Sequence, residues 1–279
     1  MILPQFYVDD IIRNAIKEDI NYIDVSTVFV IPETQQGTAR FISKADGVLC
    51  GLEIAMRVFQ LLDDTFGYEA YFKDGDEVKK GDLIAVFHGK TACLLQGERT
   101  ALNLLQHLSG IATATHACVK AVEGTKASIA ETRKTLPGLR ALQKYAVTCG
   151  GGRNHRYNLS DAAMLKDNHI DAGGGITKTV ALLRQKLGHT VKIEVETRNM
   201  DEVREAVEAG ADIIMLDNMS NDEMREACAF IDGRAVTEAS GNVTLATIHE
   251  VAQTGVDIIS LGALTHSVKA FDISMRIDK

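Results

Sequence analysis

From Ser128 onward the chain alternates between short apolar runs and amphipathic ones, and that alternation narrows the possible folds more than any other feature. SIAETRK, AAMLKDN, VKIEVET, DIIMLDN, AVTEASG and VDIISLG read as strands bounded by turn residues. Between them apolar positions recur at helical spacing, as in Met224, Ala227, Cys228 and Ile231. Stretches 201–209 and 244–253 follow the same rule. Strand followed by helix, six times over, requires parallel strands joined by helical crossovers. The units run to about 20–30 residues, the length of a βα repeat in a barrel. Periodicity alone does not say whether such a sheet closes. A doubly wound sheet, covered on both faces, would have strands apolar throughout, whereas VKIEVE sets Lys192, Glu194 and Glu196 on one face. Charges pointing inward suit a barrel interior near its mouth, so the expectation is an open, incomplete parallel β/α barrel.

Upstream the pattern differs. Residues 9–20 read as an amphipathic helix on Ile11, Ile12, Ala15 and Ile20. From about Thr38 short alternating segments are punctuated by Asp46-Gly47, Asp74-Gly75 and Gly81-Asp82, as in antiparallel hairpins, with one helix over 52–66 between them. DGDEVKKGDLIAVFHGK resembles the Gly-Asp hairpins of lipoyl and biotinyl carrier domains, with Lys90 near the distance of a modified lysine. The acids that flank such a lysine are missing, which leaves a hairpin domain that packs and positions. A long helix over 97–122, with Leu102, Leu105, Leu108 and Ile111 on one stripe, links to the repeats. The expected domains are an N-terminal α+β sandwich over 1–110, with 268–279 packing back on it, and the barrel over 111–267.

Charge is distributed unevenly. Between Arg133 and Lys166 lie seven cationic side chains and one carboxylate, Asp161, so 7 − 1 = +6 sits within a chain of formal charge −8. Like charges crowded together repel unless an anion relieves them, and arginine forks match carboxylate and phosphate. A small, multiply anionic substrate follows. The acidic balance elsewhere argues against general nucleic-acid binding. Five widely spaced cysteines without a CxxC indicate neither a disulfide framework nor a zinc cage, and read as reduced thiols of a cytoplasmic protein. No window approaches the roughly 20 apolar residues of a membrane span.

Polar residues close each strand in turn: Arg133 with Lys134, Lys166 with Asp167, Glu196, Asp217, Glu238 with Ser240, and Gly262. In α/β barrels that rim carries the active site, because all the βα loops converge there. Arg133, Lys134, Arg156 and Lys166, with His155, form an anion site able to grip paired carboxylates. Glu196 and Asp217 suit ribose hydroxyls, a developing positive charge, or a Mg²⁺ that bridges phosphates. Ser240-Gly241-Asn242 and Leu261-Gly262-Ala263 are small enough for backbone amides to approach a phosphate.

GERTALNLLQHLSGIAT, ETRKTLPGLR, GGGRNHRYNLSDAAMLKDNHI, IEVET, MLDN, EASGN and SLGALTHS together resemble the motifs of quinolinate phosphoribosyltransferases, over roughly residues 97–267 in unbroken order. The resemblance implies transfer of phosphoribosyl from phosphoribosyl pyrophosphate to quinolinate, giving nicotinate mononucleotide, pyrophosphate and CO₂ in NAD biosynthesis. It implies quinolinate and pyrophosphate contacts at Thr132, Arg133, Lys134, His155, Arg156 and Lys166. Ribose and Mg²⁺ would lie at Glu196 and Asp217, directly or through water or substrate, and the 5′-phosphate at Ser240–Asn242 and Leu261–Ala263. Lys134, Lys166, Glu196 and Asp217 would carry the catalysis. Arg99 resembles an arginine that the family supplies from the neighbouring subunit, so a homodimer, or a larger oligomer built from it, would be the working unit. The stretch after the first helix departs from the family: it keeps the acid of a Gly-Asp pair without the glycine. Two rivals remain, the same fold with another acceptor and a Schiff-base lyase using Lys166.

Overall fold

Turns form where the dipeptides stand, but none closes a hairpin as expected, because the two strands flanking each turn go to different sheets. The computed structural model describes residues 3–278, so positions 1, 2 and 279 of the expected domain ranges lie outside the described residues. In chain order come α1 (Gln5–Ile20), α2 (Thr27–Val30), β1 (Gln36–Ser43), β2 (Gly47–Val48), α3 (Leu52–Leu62), β3 (Gly67–Ala70), β4 (Glu77–Val78), β5 (Leu83–Lys90) and α4 (Thr91–Ala121). At the departure from the family pattern, Asn21 ends α1 with φ 53° and ψ −99°, a positive φ that asparagine adopts more readily than most side chains. Asp24 then accepts from the N–H groups of Ser26 and Thr27 at 3.1 Å each, which opens α2.

β12 (Ile273–Ile277) joins these from the far end of the chain, and the order β12-β1-β5-β3 makes an antiparallel sheet. Its core holds Phe41, Phe59 and Phe87, with the Phe87 ring 4.8 and 5.0 Å from the other two. Lys90 ends β5 directly before α4, and its N–H donates to Asp63 at 2.7 Å. It is on no hairpin tip, so the carrier reading falls.

The second half runs β6 (Ser128–Ala130), α5 (Arg140–Cys149), β7 (Ala163–Leu165), α6 (Asp167–Gly173), α7 (Ile176–Lys186), β8 (Ile193–Thr197), α8 (Met200–Glu208), β9 (Ile213–Asp217), α9 (Asn221–Ile231), β10 (Val236–Ser240), α10 (Ile248–Ala252), β11 (Ile258–Ser260) and α11 (Ala263–His266). Six strands pair in the order β6-β11-β10-β9-β8-β7, every neighbour parallel, and among the described residues β6 and β7 do not pair with each other, the outer side of β6 meeting only a bridge at Arg153. The sheet is therefore open. Alternation decides its faces: Ile129, Val195, Ile214, Leu216, Ala239 and Ile259 enter the apolar core beneath the helices. Glu196, Met215 and Glu238 stand side by side on the other face. Lys192 departs from expectation. It precedes β8 and meets Asp212 at 3.4 Å with its side chain 67% exposed, because the strand begins only at Ile193.

By compactness the chain forms two units. One comprises the residues up to His116, Leu136–Gly151 and the end from Ser267, and the other Ala117–Thr135 with Gly152–His266. The boundary expected at 110/111 thus lies inside α4. α5, expected in the barrel, belongs to the first unit because Leu142, Ala146 and Val147 join the core of Phe41 and Phe87. Among the described residues no helix is long and apolar enough to cross a membrane.

Candidate active site

The strand ends deliver their side chains to one place. A cavity of about 780 Å³ opens in the second unit, lined from every one of the six strand ends or the loops that follow them. Thr132, Arg133 and Lys134 follow β6, Lys166 follows β7, and Glu196, Asp217 and Ser240 close β8, β9 and β10. Four cations, Arg133, Lys134, Arg156 and Lys166, thus share the cavity with two carboxylates. Lys166 Nζ is ion-paired with Glu196.

Local hydrogen bonds fix the cations. Thr132 Oγ1 accepts from the Lys134 N–H at 3.1 Å, and the Lys134 carbonyl accepts from Thr265 Oγ1 at 2.8 Å. Arg156 donates one guanidinium N–H to the Ala162 carbonyl at 2.8 Å. Burial, and then the like charge of Arg133, pull its pKa down. Two guanidiniums near enough for one charge to act on the other are set for an anion.

On the acid side Asn242 donates to Asn218 at 2.9 Å, and Asn218 donates to Asp217 at 2.8 Å. The relay is compact because Gly241 has φ 90°, and a Cβ there would come within 2.2 Å of Asn218 Oδ1. Gly262 likewise makes room, its missing Cβ lying 2.9 Å from Lys134 Cδ. Asn218 was not among the residues singled out in the sequence, since a polar residue after a strand is a common turn signal.

His155 stands apart from the other anion contacts. It lines the cavity, but Nε2 lies 3.3 Å from Glu194 and 3.5 Å from Glu238, both buried on the inward face of the sheet. Its backbone N–H donates to buried Glu131 at 3.0 Å. Burial opposes charging the ring, while hydrogen bonding to Glu194 and Glu238 raises its pKa. The Arg156 N–H lies 2.7 Å from Nδ1 and donates to it when the ring is neutral and carries its proton on Nε2, facing the acids. Burial chiefly, with the charge of Glu238, also raises the Glu194 carboxyl. An alternating strand shows that Glu194 points inward, not what it meets there.

Every residue assigned to substrate or metal in the sequence lines the cavity except Arg99, which is exposed on α4. Asp167 opens α6 instead, and Arg140 and Lys144 belong to α5 of the first unit. The basic stretch is thus divided between two units, and four of its seven cations reach the cavity.

The family model described as quinolinate phosphoribosyl transferase, C-terminal domain, matches residues 111–276, and its N-terminal counterpart matches residues 24–109. The chain belongs to the quinolinate phosphoribosyltransferase family. Among relatives, a probable nicotinate-nucleotide pyrophosphorylase (carboxylating) of Bacillus subtilis is 46% identical, over 93% of this chain and 90% of that protein. The chloroplastic nicotinate-nucleotide pyrophosphorylase (carboxylating) of Arabidopsis thaliana is 42% identical, over 99% of this chain and 84% of its own. The crystal structure of NadC from Streptococcus pyogenes superposes with a TM-score of 0.96 at 44% identity, covering 99% of this chain and 98% of that one. This chain shares that fold, and it contains a parallel six-stranded sheet and a separate antiparallel one.

Proposed function

We propose that this chain transfers the phosphoribosyl group of phosphoribosyl pyrophosphate to quinolinate, releasing pyrophosphate and CO₂ and leaving nicotinate mononucleotide for NAD biosynthesis. The observation that carries the reading is the single cavity in which four cations face Glu196 and Asp217, with glycine turns at Gly241 and Gly262. Arg133 and Arg156, with Thr132 and His155, suit the two carboxylates of quinolinate. Lys134 and Lys166 suit the leaving pyrophosphate. Glu196 and Asp217 suit the ribose hydroxyls, and Ser240–Asn242 with Leu261–Ala263 suit the 5′-phosphate.

As the C1–O bond to pyrophosphate breaks, C1 becomes oxocarbenium-like, and two fixed carboxylates beside it stabilise the charge. The pyridine nitrogen then bonds to C1 and becomes cationic. The cationic nitrogen stabilises the electron pair left on the adjacent ring carbon when the C–C bond breaks and CO₂ departs, and that carbon then takes a proton from solvent, so the protein need only orient the ring and loosen its grip on one carboxylate. No dedicated general base is required.

Mg²⁺ fits the donor set. Glu196 pairs in register with Met215, two residues before Asp217 on the same face, so two carboxylates are offered. Asn218 engages only one Asp217 oxygen, and Mg²⁺ is commonly held by one or two carboxylates with water and substrate phosphates. Bound there, it would neutralise the departing pyrophosphate. A homodimer with Arg99 supplied from the neighbouring subunit, in the cytoplasm, completes the reading.

Incubation of the chain with quinolinate and phosphoribosyl pyrophosphate tests it, with pyrophosphate and CO₂ expected in equal amounts. Product above blank only with a different acceptor would transfer the reading to the same fold with another substrate. The Schiff-base rival needs Lys166 free to attack a carbonyl carbon, and the ion pair with Glu196 occupies it. Borohydride trapping with a carbonyl compound should leave Lys166 unlabelled.

A further inference from the structure

In the first unit, of which Arg99 alone has a part in the proposed chemistry, the side-chain ends of Cys50, Asp74 and Cys149 come within 4.8 Å of one another. Both cysteines are free thiols. Cys50 is buried, and its backbone is pinned: its N–H donates to Ser109 Oγ at 3.0 Å, and its carbonyl accepts from the same hydroxyl at 3.1 Å. Cys149 is the last residue of α5 and only partly buried. Asp74 accepts from the Leu52 N–H at 3.0 Å and from the Tyr145 hydroxyl at 2.8 Å, one bond to each oxygen. With both carboxylate oxygens engaged, the two sulfurs are the groups left to react, which favours sulfur chemistry over a cation held by all three.

We propose that Cys149 and Cys50 form a peroxide-responsive thiol pair, with Cys149 the attacking sulfur and Cys50 the resolving one. The asymmetry of their surroundings supports the order. The Cys50 S–H donating to Cys149 lowers the Cys149 pKa against burial and the charge of Asp74. Burial first, then the neighbouring sulfur, raise Cys50. One thiol is thus biased toward thiolate beside a protonated partner.

The Cys149 thiolate attacks one oxygen of a hydroperoxide. The O–O bond breaks, the sulfur is oxidised to sulfenic acid, and the other oxygen leaves as water or an alcohol after taking a proton. Cys50 then attacks that sulfur, its thiol proton goes to the leaving hydroxyl, and water departs as the disulfide forms. A cellular dithiol reverses the change by exchange. The new bond would tie the Cys50–Gly51 entry of α3 to the end of α5, just before the run Gly150-Gly151-Gly152 that leads to His155 and Arg156.

The test uses the full reduced chain, treated with hydrogen peroxide, alkylated and mapped by mass spectrometry. Alkylatable thiols should fall by two, from five to three, with a peptide containing Cys50 linked to one containing Cys149 and full recovery in dithiothreitol. In Cys50→Ser the link should vanish and dimedone should capture a sulfenic acid at Cys149. Oxidation of the other cysteines while both of these stay alkylatable would overturn the proposal. So would stoichiometric zinc that shields both from alkylation. The wild-type map decides even if the variant fails to fold, and it requires no transferase activity.

Discussion

Lys166 has two neighbours to satisfy, Glu196 now and an anion in turnover, and its side chain is 48% exposed. Its removal should therefore cost chemistry and not folding. Lys166→Ala is expected to lower kcat/KM by about 10²–10³-fold with an unchanged melting temperature, checked by steady-state kinetics beside thermal melting. Glu194 is the opposite case. With Glu238 it offers two buried acids to one imidazole, so one acid is in surplus. Its pKa is raised above the ordinary 4.5, so its stabilising share is fully present below that value and is lost as pH rises through the folded value. Glu194→Gln should then stabilise the fold at pH 8 by about 1 kcal/mol, with little gain at pH 4, while lowering activity through a loosened His155. Melting curves across pH, paired with kinetics, read both. Glu194 could be placed inward from the alternation of its strand, but its partner could not, because His155 arrives from a loop. Arg140 and Lys144 could not be told from Arg133 by charge, since only packing shows which helix face carries them away.

At the scale of elements the strands were legible because each is an apolar run with a turn behind it, and all six fall where those runs lie. Their ends were less so: Lys192 looked like part of a strand until the ladder began one residue later. α5 was misassigned for a related reason, since the stripe of Leu142, Ala146 and Val147 says that a helix is amphipathic but not which core it covers. α1 shows what chain order hides. Asp9 accepts two hydrogen bonds from Arg57 of α3, both at 2.8 Å, and is 6% exposed. Hydrogen bonding to Arg57, and then its charge, hold Asp9 below its usual 3.8 against the cost of burial. A depressed carboxylate stabilises the fold above that value and loses its contribution as pH falls through the folded one. Asp9→Asn should therefore cost about 2 kcal/mol at pH 7 and flatten the acid limb of the stability curve. Urea midpoints at pH 7 and pH 3 would show the difference, and an equal loss at both would refute the assignment.

For the whole molecule the cavity contains acids, lysines and two arginines from one chain, yet Arg99, the other arginine assigned to substrate, lies exposed on α4. If the cavity is completed by a second copy, each chain both lends an arginine and borrows one, and a defect in one role leaves the other intact. Arg99→Ala keeps a whole cavity but has no arginine to lend. Lys166→Ala lends a good arginine but has a broken cavity. A mixed dimer then contains one cavity with its own Lys166 and the partner's Arg99, and another that lacks both. Mixing two nearly inactive variants in equal parts puts half the subunits in mixed dimers, each with one competent cavity of two, so activity should return to about a quarter of wild type if subunits exchange freely. Zero recovery, with mixed dimers demonstrated by differently tagged chains, would show that Arg99 does not act across subunits. Recovery that rises with exchange time and stops when the dimers are cross-linked beforehand would tie activity to shared assembly, since exchange is the only step that cross-linking removes.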